Sequence, residues 1–148
     1  MNNFYLFVII LAILGLNSCS NRGLPIISRS IPEEKIVSQL KETKKCIKCN
    51  LENSNLNYIK LKNSDISEST FVGSSMNGVD LENSKVSEVN FENVDFSNAK
   101  LNKISGVNVS FEDSLMTRMN MMEAKLQSSN FSGVDISQSK LNDSILKN

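Results

Sequence analysis

Every fifth residue from Leu51 to Leu146 is apolar, with one exception. The series opens Leu51, Leu56, Leu61, Ile66, Phe71, Met76 and closes Phe131, Ile136, Leu141, Leu146. Nineteen of its twenty members are apolar and the odd one is Gly106, where a 40% apolar composition would give about eight. An internal repeat this strict constrains the fold before any other feature is read.

A period of five suits no ordinary element. On an α-helix five residues turn about 500°, so the apolar positions would spiral around the surface. On a straight strand an odd period would alternate faces. The chain must therefore bend once per five residues, always in the same sense. Two residues before each beat position, on the same strand face, stand Ser54, Ser64, Ser74, Val79, Val89, Val94, Ala99 and their equivalents. Seventeen of these twenty are Ser, Val, Ala or Cys. One large and one small residue thus point inward per pentad. Two residues after the beat, Asn, Gly, Asp or Ser prevails, as at Asn53, Gly73, Asn83, Asn93 and Gly133. These types tolerate turn geometry, so each pentad reads as a short extended side and a corner.

Sorting the beat residues by twenty separates them by kind. One column is Leu51, Phe71, Phe91, Phe111, Phe131, and another is Leu61, Leu81, Leu101, Met121, Leu141. Twenty residues per coil means four sides, and twenty pentads make five coils. At an inter-strand spacing of about 4.8 Å the rod is roughly 24 Å long. Gly106 is the missing inward side chain, and Ile104 beside it is large enough to fill the gap.

Ser-Asn-Leu at 54–56, Val-Asp-Leu at 79–81, Val-Asn-Phe at 89–91 and Val-Asp-Phe at 94–96 resemble the pentapeptide repeat family. That family's consensus is a small residue, Asp or Asn, Leu or Phe, then two variable residues. The resemblance covers about two thirds of the chain. It implies an all-β fold, a right-handed quadrilateral β-helix.

The front of the chain reads differently. Residues 4–16 are an unbroken apolar run of thirteen, too short to span a bilayer and suited to a signal-peptide core. It leads into Leu16-Asn17-Ser18-Cys19, which resembles a bacterial lipobox. The resemblance implies cleavage after Ser18, acylation of Cys19, and an exported lipoprotein facing an extracytoplasmic compartment such as the periplasm. An uncleaved anchor and plain secretion are the alternatives. Residues 1–18 are then a signal peptide and 19–31 a tether. Ser30-Ile31-Pro32-Glu33 is a capping-box pattern, and Ile36, Val37 and Leu40 form an apolar stripe. A helix over 32–45 is expected, as a lid on the first coil of a β-helix spanning 46–148.

Cys46 and Cys49 form a Cys-x-x-Cys pair. Their surroundings, Thr43 to Leu51, resemble a junction in exported pentapeptide repeat proteins of photosynthetic bacteria, which implies a small disulfide clasp between lid and first coil. A redox-responsive pair is the alternative, without the βαβ pattern of a thioredoxin-like site. Zinc would need two more ligands, and there is no His and no second Cys pair.

The chain has no His and no Trp. That removes the commonest general base and the usual nucleophile triads. No Gly-rich phosphate loop or calcium loop appears. No catalytic residue, metal or cofactor is expected, so the chain reads as a non-enzyme. Asp65, Asp80 and Asp95 read as solvated face residues.

Residues 51–148 carry 13 acidic and 9 basic side chains, and residues 1–50 carry 3 acidic and 7 basic, so charges of −4 and +4 cancel. Some family members mimic DNA and bind gyrase with a strongly acidic rod. Glu52, Glu92 and Glu112 line up on one side here, but Lys60, Lys100 and Lys140 line up on another. The main expectation is a membrane-anchored rigid scaffold for a protein partner, without nucleic acid. A cytoplasmic DNA-mimic regulator of gyrase is the alternative. Ile145 and Leu146 are candidates for an end-to-end homodimer, because uncapped solenoid ends tend to associate.

Overall fold

In the computed structural model, which describes residues 33–147, one helix leads into a stack of coils. Helix α1 (Glu33–Thr43) lies inside the expected 32–45. Its expected N-cap, Ser30, and the signal-peptide and tether segments lie outside the described residues. Leu40 is fully buried, and Ile36 and Val37 pack partly against the coil core. The helix stops where Lys44 turns left-handed, with φ of 57°. The Lys44 amide still reaches the Leu40 carbonyl at 3.0 Å, the usual closure of a left-handed C-terminus.

From Lys45 onward the backbone pairs with itself at a step of twenty residues. Asn50 pairs with Thr70, Thr70 with Asn90, Asn90 with Ser110 and Ser110 with Asn130, all in parallel. The same step runs Lys45, Asp65, Lys85, Ser105 on another side. Three short strands, β1 (Ser105–Val107), β2 (Lys125–Gln127) and β3 (Ile145–Lys147), continue it as a parallel sheet in the order β1-β2-β3. Ser105 faces Lys125, and Lys125 faces Ile145.

The corners explain the period. The second residue after each beat position has positive φ at every pentad, from Lys48 at 59° to Asp143 at 59°. Asn occupies this corner at 53, 63, 83, 93, 98 and 108, and Gly at 73, 78 and 133. Those types adopt the left-handed region cheaply. Tyr58, Lys103 and Arg118 adopt it as well, at about 1 kcal/mol or more each, because pairing with the next rung imposes it.

Where the residue before a beat position is Asn or Asp, its side chain commonly caps the corner. The Asn50 side-chain oxygen accepts the Glu52 amide at 3.1 Å, Asp80 accepts Glu82 at 3.1 Å, Asn90 accepts Glu92 at 2.9 Å and Asp95 accepts Ser97 at 2.8 Å. Asp65 accepts both the Ser67 amide, at 3.3 Å, and its hydroxyl, at 2.7 Å. These are Asx turns. Asp65, Asp80 and Asp95, expected as solvated face residues, are partly exposed, and each also accepts a local amide that the corner leaves without a backbone partner.

The beat residues fill the axis of the stack. Phe71, Phe91 and Phe111 are fully buried, with ring centroids 5.2 and 5.3 Å apart and planes within 27° of parallel. Phe131 continues the column at 5.0 Å from Phe111 but is only half-buried. Phe96 meets Phe91 edge-on at 5.1 Å. The register begins one pentad earlier than Leu51, because Cys46 occupies the first inward position.

The inward serines hold the coils together. Ser74 donates to the Leu51 carbonyl at 2.6 Å and accepts the Ser54 amide at 3.2 Å. Ser69 donates to Cys46 at 2.7 Å and accepts the Cys49 amide at 2.9 Å. Each such hydroxyl satisfies one donor and one acceptor of the coil before it, which is why a buried serine costs little here. Ser54, in the first coil, has α1 before it instead of another coil, and its hydroxyl has no partner.

Gly106 departs from its expected role. A Cβ there would come within 2.9 Å of the Val86 carbonyl carbon and oxygen. The backbone itself occupies the space, so Ile104 is a buried core residue with no side-chain gap to fill.

Candidate interaction surfaces

Three features of the stack offer chemistry to the outside: its two ends and its flanks. At the first coil, some of the outward backbone groups that have no earlier rung are taken by the helix junction. The Lys44 ammonium donates to the Lys60 carbonyl at 2.6 Å. The Thr43 hydroxyl accepts the Lys45 amide at 3.2 Å and lies 3.2 Å from the Lys45 carbonyl. Leu40 is buried in the same core cluster as the first beat residues.

Cys46 and Cys49 form a disulfide, with Cα atoms 5.6 Å apart. Both belong to the first pentad and the corner that follows it. The bond therefore closes a turn of the first coil and does not tie the helix to it, because the helix has already ended at Thr43. This corrects the expected clasp between lid and coil. Cys19, the expected lipidation site, lies outside the described residues.

Toward residue 147 the inward positions become more exposed. Phe111, Met116, Met121 and Leu126 are fully buried, but one coil later Ile136 is 45% exposed and Leu146 is 40% exposed. Met119, Phe131, Val134, Ile136, Leu141 and Leu146 line an apolar hollow of about 330 Å³ there. Ile145, 45% exposed, borders it on β3, the outermost strand of its sheet.

The flanks are polar. Glu52, Glu92 and Glu112 stand on the Phe side, each held by the next rung. Thr70 donates to Glu52 at 3.2 Å, Ser110 to Glu92 at 3.4 Å and Asn130 to Glu112 at 2.9 Å. On the Leu61 side, Lys60, Lys100 and Lys140 alternate with Asp80 and Asn120. Lys48–Glu68, Lys62–Glu82 and Lys103–Glu123 pair at 3.1, 3.0 and 3.6 Å. All three pairs reach solvent, and such pairs contribute little stability. Among the described residues no cluster of His, Cys, Asp or Glu is arranged to hold a metal ion. Sequence reasoning missed the serine ladder and the Asx caps. The Ser and Asn or Asp columns were visible, but their hydrogen-bond partners are set by the coil spacing.

Two family models match this chain. The model described as pentapeptide repeats (8 copies) matches residues 45–83, and the one described as pentapeptide repeat region matches residues 87–148. A comparison with curated proteins returns no match. Among solved structures the chain is similar to the pentapeptide repeat protein Rfr23 of a Cyanothece cyanobacterium, at 17% identity and a TM-score of 0.37, covering 76% of this chain and 98% of that one. It is similar to HetL, a pentapeptide repeat protein involved in heterocyst differentiation regulation in the cyanobacterium Nostoc, at 14% identity and a TM-score of 0.40, covering 69% and 48%. It is also similar to QnrB1, a plasmid-mediated fluoroquinolone resistance protein, at 15% identity and a TM-score of 0.47, covering 68% and 57%. The two family matches leave only residues 84–86 of the stack uncovered, and the chain belongs to the pentapeptide repeat family.

Proposed function

We propose that this chain is a non-enzymatic exported scaffold, held at a membrane by a lipid on Cys19, that presents a rigid rod to a protein partner. The rod is a right-handed, four-sided β-helix of about five coils with α1 as its lid. Its segments are the leader 1–18, the tether 19–31, the lid 32–45 and the repeat 46–148. The single observation that carries the reading is how the polar side chains are used. Inward serines and corner Asn and Asp residues are consumed in holding the stack. The thirteen-residue apolar run before Leu16-Asn17-Ser18-Cys19 supports export. The Cys46–Cys49 disulfide supports an oxidising compartment.

Fractionation of a bacterial host expressing the full chain tests this. Wild type is expected in the membrane fraction and Cys19→Ala in the soluble or secreted fraction. Wild type in the cytosol would overturn the anchor and favour a cytoplasmic regulator. The same reading gives the apolar hollow at Phe131, Ile136 and Leu146 to a second copy of the chain, meeting it end to end. Leu146→Glu is then expected to lower the mass measured by light scattering at high concentration, and a wild-type monomer under those conditions would sink the dimer.

A further inference from the structure

One column of the stack reads Lys45, Asp65, Lys85, Ser105, Lys125, in register at steps of twenty residues. In its first half a carboxylate stands between two lysines. In its second half Ser105 takes that place, so Lys85 and Lys125 flank a hydroxyl with no anion between them. They lie about 10 Å apart along the axis, two rung spacings, within reach of one shared ligand for two long, flexible ammonium arms. Among the described residues neither lysine has an ion-pair partner within 4 Å.

The surface is also hollow at this point. Gly106 draws the backbone against Val86, and Lys85, Ser87, Ser105, Lys125 and Gln127 rim a depression of about 310 Å³ around it. The Ser87 hydroxyl accepts the Val107 amide at 3.3 Å, which leaves its proton free to donate outward. The rim thus combines two cations, two hydroxyls and a carboxamide. Glu123 and Asp143 line the adjoining hollow, which shares Ser105 and Lys125. Glu123 is already held by Lys103 at 3.6 Å, so Asp143 is the one competitor for Lys125.

We propose that this depression binds a small oxyanion of the phosphate class. Lys85 and Lys125 clamp the anion, Ser87, Ser105 and Gln127 donate to its oxygens, and it sits beside Ser105, which takes the column position that Asp65 holds two coils earlier on the same face. The site does not depend on export or on a membrane anchor.

The test is a titration of the ¹⁵N-labelled full chain with inorganic phosphate, at fixed ionic strength against chloride, read by amide shifts. Saturable shifts confined to Ser87, Ser105, Gly106, Val107 and Gln127 are expected. Lys85→Gln with Lys125→Gln is expected to weaken the affinity about tenfold or more. Lys60→Gln with Lys140→Gln, which removes the same charge from another face, is expected to leave it unchanged. Ser105→Asp, which restores the internal carboxylate, is expected to abolish binding while the thermal unfolding midpoint is kept. Shifts that do not saturate, or that respond equally to both double variants, would overturn the proposal.

Discussion

The Ser114 hydroxyl donates to the Phe91 carbonyl at 2.6 Å and accepts the Val94 amide at 3.1 Å, so one small side chain satisfies two backbone groups of the coil before it. Ser114 is itself buried. Ser114→Ala should therefore leave both groups dry and unpaired. A loss of about 1–3 kcal/mol is expected in urea unfolding. A loss within error would mean that water or a shifted rung replaces the hydroxyl.

Phe91 sits between Phe71 and Phe111, with Phe96 against its edge. Phe91→Ala removes the centre of the column and should cost about 3–5 kcal/mol. Phe91→Leu keeps most of the volume and should cost clearly less. Thermal unfolding of the pair checks this. An Ala variant that melts like wild type would show that the column is not what holds the middle coils.

At Gly106 the expected sign is opposite to what the repeat pattern suggests. Thirteen beat positions from Leu56 to Leu146 outside the aromatic column carry Leu, Ile, Val or Met, for example Ile66, Val86 and Leu126. Restoring a side chain at 106 would nonetheless drive it into the Val86 backbone. Gly106→Ala should destabilise by about 1–3 kcal/mol, as overpacking does. A stabilised variant in the same urea assay would show that the backbone approach at Val86 is loose.

The Ser137 hydroxyl, and after it the Ser137 amide, hold the Asp135 carboxyl below the usual carboxylate range. A lowered folded pKa means that its contribution is present above the unfolded value and is lost as pH falls through the folded one. Side-chain ¹³C titration should place Asp135 below the value of an unfolded chain. Ser137→Ala should move it up toward that value. No movement would show that the hydroxyl does not face Asp135 in solution.

How much of this was legible depends on which direction a residue faces. The beat residues face inward, and burial is a property that sequence periodicity reports directly, so Leu56, Phe91 and Leu101 could be assigned to the core from spacing alone. The corner residues were legible as turn formers, since Asn53 and Gly73 are suited to positive φ. The roles of Ser74 and Asp80 were not, because a hydrogen bond to the coil before, or to an amide two residues on, depends on distances the pattern does not carry. Gly106 misled for the same reason: an absent side chain looks like a gap until the neighbouring backbone is seen. The Cys46–Cys49 bond was expected one step out of place, since whether it joins lid to coil depends on where the helix stops, and helix ends are the least legible feature of a sequence.

The most direct measurement is the intact mass of the protein expressed with its native leader in a bacterial host, taken separately on membrane and soluble fractions. The account expects a membrane species that lacks residues 1–18, carries a diacylglyceryl group on Cys19 and is two hydrogens lighter for the Cys46–Cys49 bond. A full-length, reduced species recovered from the cytosol would contradict it.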